Sequence, residues 1–209
     1  MMRLAMRSVT AEGGFELDRM QREYVDFMTT PGTHDDAYAS SYHRMFFARR
    51  AQGLPLRECP SNDGHNVDAI DGLIVPAVVL LSDVTSAEPH ARGTAQESVR
   101  VTRSSPRVES YVGELSLMLR AVLGGQSASD AAQDAARRLG RPISTAQPDP
   151  VVACYIDSNF ESLLLLAAKY PTFTECALAN ANVGGENVYA RPAPPRLAVP
   201  HKGAPPRVV

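Results

Sequence analysis

Four short stretches hold residue types that a plain helical bundle does not need. "CPSNDGHNVDAIDGL", residues 59 to 73, places His65, Asp68 and Asp71 three residues apart behind an Asp63-Gly64 turn. If the chain is helical there, one face carries two carboxylates and an imidazole, a set suited to a cation or to polyol hydroxyls. The competing reading is a solvated helix start. "NANVGGENVYAR", residues 180 to 191, sets Gly184-Gly185 directly before Glu186. Paired glycines let backbone approach a ligand closely, and a new helix start favours an anion or a metal-orienting carboxylate. An ordinary glycine-ended helix explains the same residues. "THDDAY", residues 33 to 38, is accounted for by capping, since Asp35 and Asp36 in a first turn complement the helix dipole. His34 and His43 are nine apart, so they need not meet. No Ser-His-Asp set, phosphate loop or zinc cluster is present, and three cysteines without metal spacing read as reduced, buried thiols of an intracellular protein.

The elements that must position these residues are helices. Leu17, Met20, Tyr24, Phe27 and Met28 recur at helical spacing and stop at Pro31-Gly32. Thr33 with Asp36 predicts a capping box opening a helix to Gly53, with a stripe of Tyr38, Tyr42, Met45, Phe46 and the stem of Arg49. Ser105 caps a helix with Pro106 at its first position, a stripe of Val108, Tyr111, Val112, Leu115, Met118, Leu119 and Val122, and a stop at Gly124-Gly125. Ser127 with Asp130 opens the next, whose Ala131, Ala132, Ala135 and Leu139 predict close helix contact. Ser158 with Glu161 and Thr172 with Glu175 predict two more capping boxes, separated by Pro171. Residues 82 to 107 read as a polar loop. The fold class expected is all-α, a single-domain helical bundle of about seven helices over 1 to 191.

At 209 residues one domain is the natural size, and a net charge of −2 predicts neither nucleic acid nor membrane as partner. The opening "MMRLAMRSVTAEGG" is too short and polar for a signal peptide, and "LIVPAVVLL" is about half of a membrane span. Residues 192 to 209 hold six prolines and no acid, a composition that predicts a disordered Pro/Arg-rich tail.

"DPVVACYIDSNFESLLLLAAKYPTFTECALANANVGGENVYAR" resembles the C-terminal part of the ADP-ribosylglycohydrolase family, in the branch that includes the jellyfish lens crystallins. "YVDFMTTPGTHDDAYASSYHRMFFARRAQGLPLRECPSNDGHNVDAIDGL" is similar to the middle of the same branch, so the resemblance covers most of 24 to 191. It implies an all-α domain that hydrolyses the glycosidic bond between ADP-ribose and its acceptor. Two divalent cations, usually Mg2+, hold the ribose diol and activate water, as oxygen-seeking ions do. It further implies Gly184 and Gly185 as the family's paired glycines and Glu186 as catalytic and metal-binding carboxylate. Asp63, Gly64, His65, Asn66, Asp68 and Asp71 would contact substrate, and the partner is ADP-ribose or an ADP-ribosylated conjugate.

The departures shape a second expectation. Val188 stands where the family has a second aspartate, and no Thr-Asp-Asp stretch lies upstream. After Arg191, "PAPPRLAVPHKGAPPRVV" replaces a small-residue helix, as a reading-frame change or altered exon end would produce. The resemblance thus implies a member shortened at both ends, with incomplete metal sites. Its alternatives to a hydrolase are an inactive relative that at most binds ADP-ribose and a crystallin-like structural protein.

Overall fold

Two short bonds show how the chain punctuates its helices: the amides of Asp18 and Arg19 donate to the Glu16 carboxylate at 2.9 and 2.7 Å. They open α2, Leu17–Thr29, satisfying amides that a helix start leaves without partners. The structure, a computed structural model, describes residues 1–35 and 38–185. Before α2 lies α1, Met2–Glu12, which buries Leu4, Ala5, Ser8 and Val9 along one stripe. After it come α3, Ser41–Ala51; α4, Ile74–Ser82; and α5, Glu88–Ser98. The second half holds α6, Pro106–Leu123; α7, Ala128–Arg138; α8, Ile156–Lys169; and α9, Phe173–Val183. The fold is all-α and forms one domain; among the described residues the only β pairing is an isolated bridge between Ala69 and Tyr155.

One core runs from Leu4 to Ala167. Helix α6 is its axis, packing on α4, α5, α7 and α8. All seven residues of its expected stripe are buried, and Ser105 Oγ accepts the Val108 amide at 3.0 Å. Helix α7 buries Ala131, Ala132, Ala135 and Ala136 against its neighbours, so their small side chains let α8 come close. Helix α4 and the centre of α8 are apolar almost all round, as helices enclosed by others are. Each fully buried Leu or Phe there contributes about 1.5–3 kcal/mol. No helix among the described residues is long and apolar enough to cross a membrane.

Three expectations are corrected. Helix α3 starts at Ser41, not Thr33. The Thr33 hydroxyl lies 2.8 Å from Thr30 O and also reaches Phe27 O, so it closes α2 instead of opening α3. Tyr42 and Phe46 are buried as expected, whereas Tyr38 is 68% exposed, and Asp36 lies outside the described residues. Residues 82 to 107 are not a loop, because α5 occupies their middle. It buries Ala91, Ala95 and Ser98 at helical spacing, a stripe too small to stand out as hydrophobic. Helix α8 begins at Ile156, where Tyr155 is the N-cap; Ser158 Oγ turns back to Tyr155 O at 3.3 Å and forms no capping box. The Thr172–Glu175 capping box at α9 is formed in both directions. The proline-rich stretch 192 to 209 lies outside the described residues.

Candidate functional site

Asp63 folds its own surroundings. One carboxylate oxygen accepts the amides of His65 and Val67, at 3.0 and 3.2 Å, and the other accepts Asn66 Nδ2 at 2.9 Å. Slight burial pushes this carboxyl up, but the bonds from Asn66, His65 and Val67 outweigh it and hold it below the usual carboxylate range. Asn62 Oδ1 takes the Gly64 amide at 2.6 Å, so 62 to 67 is a self-capped turn with Asp63, Gly64, His65 and Asn66 exposed.

The turn rests on residues 103–105. Asn62 Nδ2 donates to Ser104 O at 2.7 Å, the Ser104 amide to Ser61 O at 3.1 Å, and Arg103 Nη1 to Val67 O at 3.1 Å. Ser105 does two jobs: its hydroxyl donates to Asp68 Oδ1 at 2.6 Å while accepting the Val108 amide that starts α6.

Asp71 points inward, from a short 3-10 turn at Ile70–Leu73. Arg103 Nη1 donates to its Oδ1 at 2.7 Å, and the Tyr42 hydroxyl donates to its Oδ2. The guanidinium also lies 3.6 Å over the Tyr42 ring centre. Burial pushes the Asp71 carboxyl up, but the Arg103 charge and the bonds from Arg103 and Tyr42 hold it below the usual range. Burial likewise raises the Tyr42 and Tyr24 phenols. Tyr24 OH and His43 Nδ1 share a bond of 2.6 Å. Tyr42, His43, Asp71 and Arg103 border a cavity of about 210 Å³ between α3, α4, the end of α5 and the chain start at Met1 and Met2.

Residues 151 to 155 join the two halves of the expected site. The Ile70 amide donates to Cys154 O, and the Ile156 amide to Asp68 O, both at 2.9 Å. Tyr155 OH and His65 Nε2 share a bond of 2.7 Å, with their ring centres 4.8 Å apart. At the other end of this segment lies Gly185. A Cβ there would sit 2.5 Å from Val152 O and 3.0 Å from Val152 N, and its φ is +70°. Only glycine fits that approach. Gly184 ends α9 beside it.

The expected residues therefore separate into groups. Asp63, Gly64, His65 and Asn66 form one turn, Gly185 abuts the segment that holds it with Gly184 beside it at the end of α9, Asp68 is taken by Ser105, and Asp71 belongs to the buried cluster. His65, Asp68 and Asp71 do not share a helix face, because Asp63 draws the following amides into a turn instead of a helix. Glu186, the expected catalytic and metal-binding carboxylate, lies outside the described residues. Among the described residues no three His, Cys, Asp or Glu side chains come together to hold a metal ion. Sequence reasoning missed Arg103, because "VRVTRSS" reads as polar loop, and took Tyr42 and Ser105 as stripe and cap alone.

No family model and no curated protein matches the chain.

Proposed function

We propose that this chain is an ADP-ribosylglycohydrolase-type protein that recognises ADP-ribosyl conjugates and hydrolyses their glycosidic bond. One observation supports this most. The two stretches that the resemblance marks as site-lining, 63 to 71 and 184–185, are more than a hundred residues apart yet meet the same short segment, 151 to 155. The turn at Asp63–Asn66 offers exposed amide and carboxylate groups to polar groups of such a conjugate, and Gly184-Gly185 offers backbone. Divalent metal, when bound, would supply water activation, with Glu186 the residue to hold it. An intracellular location belongs to the same reading, with Cys59 and Cys176 as buried thiols.

A second reading is a relative that binds ADP-ribose without cleaving it. It is favoured by the engagement of Asp68 with Ser105 and of Asp71 with Arg103 and Tyr42. Calorimetric titration of the full chain with ADP-ribose, with and without Mg2+, tests both, followed by an assay for ADP-ribose release from a conjugate. Mg2+-dependent binding and release support the hydrolase, binding without release the second reading, and no binding in either condition removes both.

A further inference from the structure

The cavity beside Asp71 has two unlike walls. Ile74, Val75 and Val99 form an apolar one, and Asp71, Arg103, Ser98 and Thr102 a polar one, with Tyr38 at the rim. All four polar side chains are buried, Ser98 and Arg103 almost completely. Its walls narrow what it can hold.

A divalent cation does not suit it. Asp71 is the only carboxylate among the described residues that line it, and the Arg103 guanidinium at 2.7 Å already neutralises its charge. Nor does an anion, since Asp71 compensates Arg103 at 2.7 Å, and burial, with the Arg3 charge, lowers the pKa of the Met1 α-amino group, which also lines the cavity. A flat aromatic ligand lacks a stacking partner inside, because Arg103 and His43 already pack on the Tyr42 ring, at 3.6 and 4.2 Å. What remains is a neutral group with a C–H face and hydroxyl edges. The size agrees: about 210 Å³ is below the ~300–1,000 Å³ of sites for drug-sized ligands and holds about seven waters' volume.

We infer that this cavity is a binding site for a neutral sugar ring. Its hydroxyls meet the Asp71 carboxylate and the Thr102 and Ser98 oxygens, and its C–H face lies on Ile74, Val75 and Val99. Ser98 Oγ donates to Ala95 O at 2.7 Å and so faces a ligand as acceptor. Thr102 Oγ1 receives only a long bond, 3.4 Å, from Arg103 Nε, and keeps its own proton to donate. That the sugar is the ribose of an ADP-ribosyl conjugate rests on the function proposed above; the cavity's preference for a sugar does not.

Saturation-transfer NMR on the full chain with D-ribose, repeated with ADP-ribose, tests it. D-ribose signals should saturate with concentration. Thr102→Val and Ser98→Ala, both conservative in shape, should each weaken binding about fivefold, the loss of one hydrogen bond. Gln133→Ala, on the exposed side of α7, should change nothing, and circular dichroism checks that each variant is folded. Absence of D-ribose transfer, or transfer unchanged in both cavity variants, overturns the inference. ADP-ribose binding undiminished in both variants overturns the identification of that sugar as the conjugate's ribose and leaves the proposed function standing. D-ribose binding without ADP-ribose binding supports the cavity and removes that function.

Discussion

Arg103 donates to Asp71 across 2.7 Å, between side chains only 3% and 6% exposed. The two are 32 residues apart in sequence, and this pair fixes the 3-10 turn at Ile70–Leu73 onto the segment that leads into α6. A buried pair gains little over an apolar pair of the same size, but breaking it leaves a charge without a partner. Arg103→Met and Asp71→Asn should therefore each lower stability by about 3–5 kcal/mol, read as a shift of the urea midpoint. A loss below about 1 kcal/mol in both would show that the charges are not buried together.

Acid should unfold the chain through the same carboxylate. Asp71 titrates below its ordinary value in the folded state, as does Asp157, where burial is outweighed by bonds from Tyr111 and Arg107. A depressed folded pKa gives stability that is present above the unfolded value of about 3.9 and is lost as pH falls through the folded one. Urea midpoints should hold level from pH 7 to about 5 as far as these groups are concerned, then fall below about pH 4. Asp71→Asn should flatten part of that fall.

Ser105 serves the helix and the loop at once. Ser105→Ala removes the α6 cap and the donor to Asp68, for a loss of about 1–3 kcal/mol. Ser105→Gly restores most of the cap, so what it still loses measures the Asp68 bond. Equal losses in the two variants would mean that the Asp68 bond accounts for the whole effect and the cap for none.

Gly185→Ala should displace residues 151 to 155. The new methyl would meet Val152 O at 2.5 Å, in a backbone conformation with φ +70°, at a cost of about 1–3 kcal/mol. Hydrogen exchange should quicken at Ile70 and Ile156, whose amides bond across the Asp68–Tyr155 junction. Unchanged protection there would separate Gly185 from the site.

Two thiols should be slow. Burial pushes Cys176 up to about 11, and raises Cys59 as well. Thiolate is the reactive form, so mass spectrometry after iodoacetamide at pH 8 should find both unmodified in the folded chain and modified in urea. Rapid labelling of either in the folded chain would contradict its burial.

What the sequence determined by itself is local. Ser105, Pro106 and the stripe from Val108 to Val122 define α6, and Thr172 with Glu175 defines the start of α9, because caps act within about four residues and a helical stripe follows from its 3.6-residue period. The all-α class follows from such signals. The site was decided elsewhere. His65 finds its partner in Tyr155, 90 residues on, and Asp71 in Arg103 and Tyr42. The spacing of His65, Asp68 and Asp71 suggested one helix face, but Asp63 captured the amides that helix needed. Helix α5 was hidden for a related reason: its buried face is Ala91, Ala95 and Ser98, whose burial reflects neighbours that only the packed fold supplies. Periodicity records which residues turn to one side of an element. Which groups meet across the core depends on how helices far apart in sequence pack, and that is settled only when the chain has folded.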